Sequence, residues 1–236
     1  MAKAHATWTV LAHGPLEKLG DDVWRVEGAL PGMSMKRVMT IARRADGQLV
    51  VHNAIALDDA AMKTLDALGP VGFIVVPNGY HRLDAPAFAK RYPNARVLAP
   101  RGARAKVGEV TTVHGDYGDF PADARVRLEH IDGTKDAEGV MIVEGADGAT
   151  LVLNDIVFNM PHLPGFAGLV VRALGSSGGP RVTRIARMFL IKDKGAARAH
   201  LERLAKTPRL ARIVVSHHEV IADAPAETLA RVAATL

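Results

Sequence analysis

Residues 73–100 read FIVVPNGYHRLDAPAFAKRYPNARVLAP. Phe73–Val76 is a continuous apolar run of strand length, the mark of a strand buried on both faces. It breaks at a Pro-Asn-Gly turn that leads to His81. A short helix over Pro86–Tyr92 follows, and then a second apolar strand, Arg96–Ala99. A strand, a histidine-bearing turn, a helix and a strand within 28 residues already fix this part of the chain as layered α/β structure.

The flanking sequence keeps the alternation. Val23–Glu27, Arg37–Ala42 and Leu49–Val51 read as strands, the last two joined at Ala45-Asp46-Gly47. Asp58–Leu68 reads as a helix: Asp58 suits the cap, Ala61, Leu65 and Leu68 form an apolar stripe, and Gly69-Pro70 ends it. Val126–Ile131, Val140–Glu144 and Thr150–Leu153 form a second strand group, with a hairpin turn at Ala146-Asp147-Gly148. Helical stretches over Arg181–Leu190 and Lys194–Ala205, a buried strand at Arg212–Val215 and a helix from Pro225 complete the chain. Two strand groups with interleaved helices fit two sheets packed face to face and covered by helices. No linker is long or polar enough to divide residues 1–236, so one domain is expected.

Composition narrows the function classes. Apolar residues make up 48% of the 236, enough for a sizeable core. No run approaches the ~18 apolar residues of a membrane span, and the start, MAKAHATWTV, lacks the apolar region of a secretory signal. The absence of cysteine removes disulfides and thiolate ligands. A cytoplasmic protein is expected, although exported proteins can also lack cysteine. The net charge of +5 is unevenly spread: Val170–Arg212 holds eleven Lys/Arg against two acids, and Glu109–Asp155 eleven acids against three bases. These runs read either as solvated faces or as a basic face for an anionic ligand. No aromatics interleave the basic residues, which argues against a single-strand nucleic-acid platform.

The His81 turn resembles the metal-binding segment of metallo-β-lactamase-fold hydrolases, which carries His-x-His-x-Asp-His after an apolar strand. Asn78, Tyr80, Arg82 and Leu83 stand at those four ligand positions. The resemblance continues in order over about residues 20–222. The strand that ends in Asp in the family ends here in His52. The histidine of a later glycine-containing loop is replaced by Thr134. The strand ending Gly-Asp keeps its carboxylate as Asp155, in ATLVLNDIVFN. The strand followed by His keeps it as His217, in RIVVSHHEVI. The resemblance implies an α/β, four-layer αββα sandwich, in a degenerate branch with a Pro-Asn-x-x-His turn.

The resemblance and the residues together give the candidate site. His81, Asp155 and His217 are the candidate catalytic and metal-binding residues; three ligands with one open position suit a catalytic zinc, or iron by ligand type. Asn78, Tyr80, Arg82 and Asp84 are the candidate substrate-binding residues. Each has a plainer reading: His81 packed on Tyr80 or Tyr92, Asp84 capping the helix at Ala85-Pro86, Asp155 and His217 bonded to each other without metal. Arg82 stands where the family has an Asp; if it points inward, its cation fills the space of the missing second metal, pairs with Asp155 and repels a divalent ion. The cofactor expectation is therefore none, or one weakly bound Zn or Fe ion. The function implied is a metal-dependent hydrolase with a reduced site; the alternative is a non-catalytic relative binding a small anionic ligand or a protein through the same cleft. A small-molecule, anionic ligand is the expected partner, without membrane or nucleic acid, and a homodimer is left open.

Overall fold

The computed structural model describes residues 3–162, 164–173 and 175–236. Strands β1 (Glu17–Gly20), β2 (Val23–Leu30), β3 (Met33–Arg43) and β4 (Leu49–His52) form an antiparallel meander. Helix α1 (Asp59–Asp66) then crosses to β5 (Val71–Val75), and α2 (Ala85–Arg91) to β6 (Arg96–Leu98). Strands β4, β5 and β6 run parallel, so one six-stranded sheet carries β1 to β6 in sequence order. As expected, Asp58 caps α1, its side chain accepting from the Ala61 N–H. A short helix α3 (Arg104–Gly108) leads to the second half.

The second sheet has the order β12-β9-β8-β7. Its members are β7 (Val126–His130), β8 (Gly139–Gly145), β9 (Gly148–Leu153) and β12 (Leu210–Val215). β7, β8 and β9 are antiparallel, and β12 returns parallel to β9. Between β9 and β12 lie a small ribbon of β10 (Phe158–Met160) and β11 (Gly179–Arg181), helix α4 (Gly165–Ala173) and helix α5 (Lys194–Ala205). Helix α6 (Pro225–Ala233) closes the described chain.

Three apolar layers separate four structural ones. Val51, Ile74 and Val97 pack outward with Met62, Leu65 and Phe88 of α1 and α2. Leu151, Leu153, Ile213 and Val215 pack outward with Leu201, Leu204 and Leu229 of α5 and α6. Val50, Val75, Val152 and Val214 meet between the sheets. The period of two along each strand sorts its residues onto the inner and outer faces, and both faces are apolar because both are covered. The expected αββα sandwich is therefore the fold.

The stretch expected to be helical over Arg181–Leu190 differs. Arg181 ends β11, and the helical turn starts only at Arg184, finishing as a π-helical turn over Ala186–Leu190. The Thr183 hydroxyl accepts from the Ala186 N–H and so caps the later start. The sequence reading also omitted β1, α3, α4 and the β10–β11 ribbon. The acid-rich and base-rich runs partly meet: Arg203 pairs with Glu129 at 2.7 Å, His200 with Asp132 at 3.0 Å, and Arg212 with Asp147. Part of the basic run is thus neutralised within the chain. Among the described residues no helix is long and apolar enough to cross a membrane.

Candidate metal centre

Four strands of the two sheets end at one rim of the sandwich, and the residues just past their C-terminal ends build the site. Asn53 follows β4, Asn78 and His81 follow β5, Asn154 and Asp155 follow β9, and Ser216 and His217 follow β12. Ligand sites in layered α/β folds gather at such strand ends.

The structure brings His81, Asp155 and His217 together. His81 Nε2 lies 3.0 Å and His217 Nε2 3.2 Å from the same oxygen, Asp155 Oδ1. The two imidazoles meet edge to face with centroids 5.0 Å apart. One ligand atom from each residue lies within 4.8 Å of the others. Ligands about 2.0–2.1 Å from a tetrahedral zinc stand roughly 3.3 Å apart, so the two short separations have the scale of a shared cation.

The hydrogen bonds behind each ring fix its tautomer. His217 Nδ1 is 2.8 Å from the Lys36 carbonyl, which can only accept, so Nδ1 carries the hydrogen. His81 Nδ1 is 3.1 Å from Asn53 Oδ1. The Asn53 amide is itself oriented, because its Nδ2 donates to the Val38 carbonyl at 2.8 Å. His81 therefore also carries its hydrogen on Nδ1. In the neutral form of each ring the Nε2 lone pair faces Asp155 Oδ1, itself an acceptor. Three acceptors aimed at one another need positive charge between them, from an added proton on an imidazole or from a metal ion. Burial would push the Asp155 carboxyl up; the charge of His81 and the bonds from His217 and His81 overcome it and hold the group well below the usual carboxylate range. Nδ1–H bonded to a carbonyl with Nε2 free is the arrangement metal-binding histidines adopt, so these residues fit a single cation.

Asn78 knits the site together. It is 3% exposed. Its Oδ1 accepts from the backbone N–H of Tyr80 at 2.8 Å and of His81 at 3.0 Å, closing the turn that swings His81 inward. Its Nδ2 donates to Asp155 Oδ2 at 2.7 Å and to Glu138 Oε1 at 2.6 Å. Phe158 stacks on His217 at 4.9 Å and covers one side of the centre. His218 is also held inward: its Nε2 accepts from the Lys36 N–H at 3.4 Å, so the two neighbouring histidines clasp one residue of β3.

Two residues of the candidate set take other roles. Arg82 does not turn inward. It donates to Glu109 at 2.8 Å and to the Lys106 carbonyl, beside α3, where a pair at the surface avoids desolvating the guanidinium. The expected repulsion between Arg82 and a cation at Asp155 therefore has no basis. Asp84 occupies the N-cap position of α2 but makes no cap bond. Its fully buried carboxylate accepts from Arg37 Nη2 at 2.7 Å and from the Ala56 N–H at 3.0 Å, and meets His5 Nδ1 at 2.7 Å. A buried carboxylate needs such partners, and they hold it away from the rim. Tyr80 is 65% exposed, with its ring in solvent at the edge of the turn.

Sequence reasoning missed a second, hidden carboxyl. Glu138 is fully buried; its Oε1 accepts from Asn78 and, at 3.0 Å, from Asn154 Nδ2, while Oε2 has no hydrogen-bond partner among the described residues. Burial, and then the charge of Asp155, push this carboxyl well above the usual range, which favours its neutral form. One Glu within an acid-rich run carries no signal that distinguishes it. Nearby, burial and then the charge of His81 push His52 down to about 3, so it stays neutral. The Glu138 shift predicts a pH-dependent stability. Below the unfolded-state pKa both states hold the proton and nothing is lost. Above it the unfolded state ionises while the folded state does not, so stability falls as pH rises toward the raised folded pKa. Glu138→Gln keeps the accepting oxygen and removes this loss. The variant should match the parent near pH 4 and be the more stable of the two at pH 7, measured by urea unfolding; the same difference at both pH values would contradict it.

A six-stranded and a four-stranded sheet packed face to face, helices on both outer faces, and a His–Asp–His centre at the strand ends define the metallo-β-lactamase fold. No family model matches the sequence, and no curated protein matches it. Among solved structures, a metallo-β-lactamase from Erythrobacter litoralis, with β-mercaptoethanol in its active site, is similar with a TM-score of 0.62. It is 14% identical, over 94% of this chain and 96% of that one. A metallo-β-lactamase from Pontibacter korlensis is similar with a TM-score of 0.60 at 12% identity, over 94% of this chain and 99% of that one. At these identities the likeness is one of fold.

Proposed function

We propose that this chain is a metal-dependent hydrolase of a small molecule, working with one cation held by His81, Asp155 and His217. The observation that carries the reading is the pair of fixed tautomers: Lys36 and Asn53 leave both Nε2 lone pairs facing one carboxylate oxygen. Three protein ligands leave a fourth position for water or substrate. When bound, such an ion supplies a water acidified toward neutral pH and a Lewis acid for the bond to be cleaved.

The chain's own residues supply the frame. The Lys36 carbonyl orients His217, and Asn53 orients His81. Asn53 is at φ 58°, a left-handed conformation that Asn accepts readily, and this directs its amide back across the sheet edge. Asn78 steadies Asp155 through Oδ2 and leaves Oδ1 for the two imidazoles. Phe158 shields His217 from water on one face. Tyr80, exposed at the turn, is the side chain a substrate meets at the rim.

The test is a metal analysis of protein purified without added metal and again after zinc dialysis. It is followed by a screen of ester, thioester, lactam and phosphodiester substrates with and without chelator. One equivalent of zinc and a chelator-sensitive hydrolysis are expected. A protein that takes up no zinc at any concentration refutes the reading. One that binds zinc and hydrolyses nothing leaves the binding role as the function of the cleft.

A further inference from the structure

We infer that Asn78 is a positioning residue that limits this centre to one cation, by placing two N–H donors where a second cation would need oxygen ligands. The inference rests on the one-cation reading above and concerns how the chain enforces it.

The orientation of the Asn78 amide follows from its partners. Backbone N–H groups can only donate, and those of Tyr80 and His81 both point at one terminal atom of the side chain, at 2.8 and 3.0 Å. That atom is the oxygen. The other end is the NH₂ group, and both its hydrogens are spoken for: Asp155 Oδ2 lies at 2.7 Å and Glu138 Oε1 at 2.6 Å. A rotation of the amide would set the NH₂ group against two N–H donors, so the arrangement has a single state.

The consequence for Asp155 is that its two oxygens face different chemistry. Oδ1 faces two imidazole lone pairs and takes part in the cation site. Oδ2 faces an N–H, which offers positive charge of its own and repels a metal ion. The carboxylate therefore serves one cation through one oxygen.

Beside the amide lie further buried oxygens. Glu138 Oε2 and Asn154 Oδ1 are buried and have no hydrogen-bond partner among the described residues. Asn154 Nδ2 bonds to Glu138 Oε1 at 3.0 Å, so the two residues lie against each other and against Asn78. Replacing the amide of Asn78 by a carboxylate would set an oxygen of its own beside Asp155 Oδ2 and the Glu138 carboxyl. Such a set suits a hard divalent cation such as Mn²⁺ rather than zinc. Asn78→Asp is also the conservative change at the turn, because an Asp oxygen accepts from Tyr80 and His81 as the Asn oxygen does.

The experiment loads the full chain with one equivalent of zinc, dialyses it against Mn²⁺ and counts both metals per chain. The parent should hold one zinc and no manganese. Asn78→Asp should hold one zinc and one manganese, and Asn78→Asp with Glu138→Gln should return to zinc alone, because the second carboxyl is gone. A purely structural role for Asn78 would alter folding or zinc affinity but would not create a manganese site. If Asn78→Asp does not fold, Asn78→Ser keeps an oxygen for the turn and removes both donors, and it should also take up manganese. One zinc in the parent with no manganese in either variant overturns the inference alone. A parent that binds no zinc overturns the one-cation reading and this inference with it. A parent that binds manganese beside zinc shows that Asn78 imposes no limit.

Discussion

Arg37→Met is expected to destabilise the protein by about 3–5 kcal/mol, the cost of leaving a buried charge without its partner. Arg37 is 3% exposed and Asp84 is fully buried, and their contact is 2.7 Å. Arg37 Nε also donates to the Ala29 carbonyl at 3.2 Å. The Asp84 carboxylate further ties the Ala56 backbone and His5, so one anion joins β3, the segment after β4, the start of α2 and the N-terminal arm. Met matches the stem of Arg in volume, which isolates the loss of charge from the loss of packing. The double change Arg37→Met with Asp84→Leu should recover most of the stability, since a buried pair replaced by apolar residues is often neutral or better. Urea unfolding of the single and double variants checks this. A single-variant loss below ~1 kcal/mol, the size of an exposed pair, would contradict it.

The second large effect belongs to Asp155→Asn. Asp155 contributes the only negative charge among the three converging ligands, and its removal leaves two neutral imidazoles to hold a dication. Zinc affinity is expected to fall by more than ~100-fold, the upper end of what losing an outer partner alone costs. Folding should survive: an Asn amide can turn an N–H toward a free Nε2 and satisfy in part what the carboxylate left as facing acceptors. Competition against a chromophoric chelator gives the affinity, and thermal unfolding of the metal-free forms gives the second comparison. Unchanged affinity would place the ion elsewhere in the chain.

The layers and the core of the site were legible because short-range patterns encode them. Phe73–Val75, Leu151–Leu153 and Ile213–Val215 are apolar, and each is a buried run within a strand. His81, Asp155 and His217 each follow such a strand, and strand ends that share a rim bring their next residues together. The directions of individual polar side chains were not legible. Arg82 finds Glu109 27 residues along the chain, and Asp84 finds Arg37 47 residues back. Neither partner is marked by spacing or composition. A carboxylate next to Ala-Pro at a helix start looks like a cap whether it caps or, as here, reaches across the core. The Lys36 carbonyl that sets the His217 tautomer is a backbone group with no sequence signature at all. Glu138 is hidden for the same reason: its raised pKa follows from burial, which one acidic letter among eleven between Glu109 and Asp155 does not announce.

The central claim is that two imidazoles, each protonated on Nδ1, offer their Nε2 lone pairs to one cation beside Asp155 Oδ1. Long-range ¹H–¹⁵N spectra of ¹⁵N-histidine-labelled protein, recorded during titration with zinc, test it directly. The rings of His81 and His217, assigned through His81→Gln and His217→Gln, should both show the Nδ1–H pattern. Their Nε2 resonances should move together and stop moving at one equivalent of zinc. Nε2 resonances that stay in place through saturation, or either ring carrying a hydrogen on Nε2 and none on Nδ1, would contradict the account.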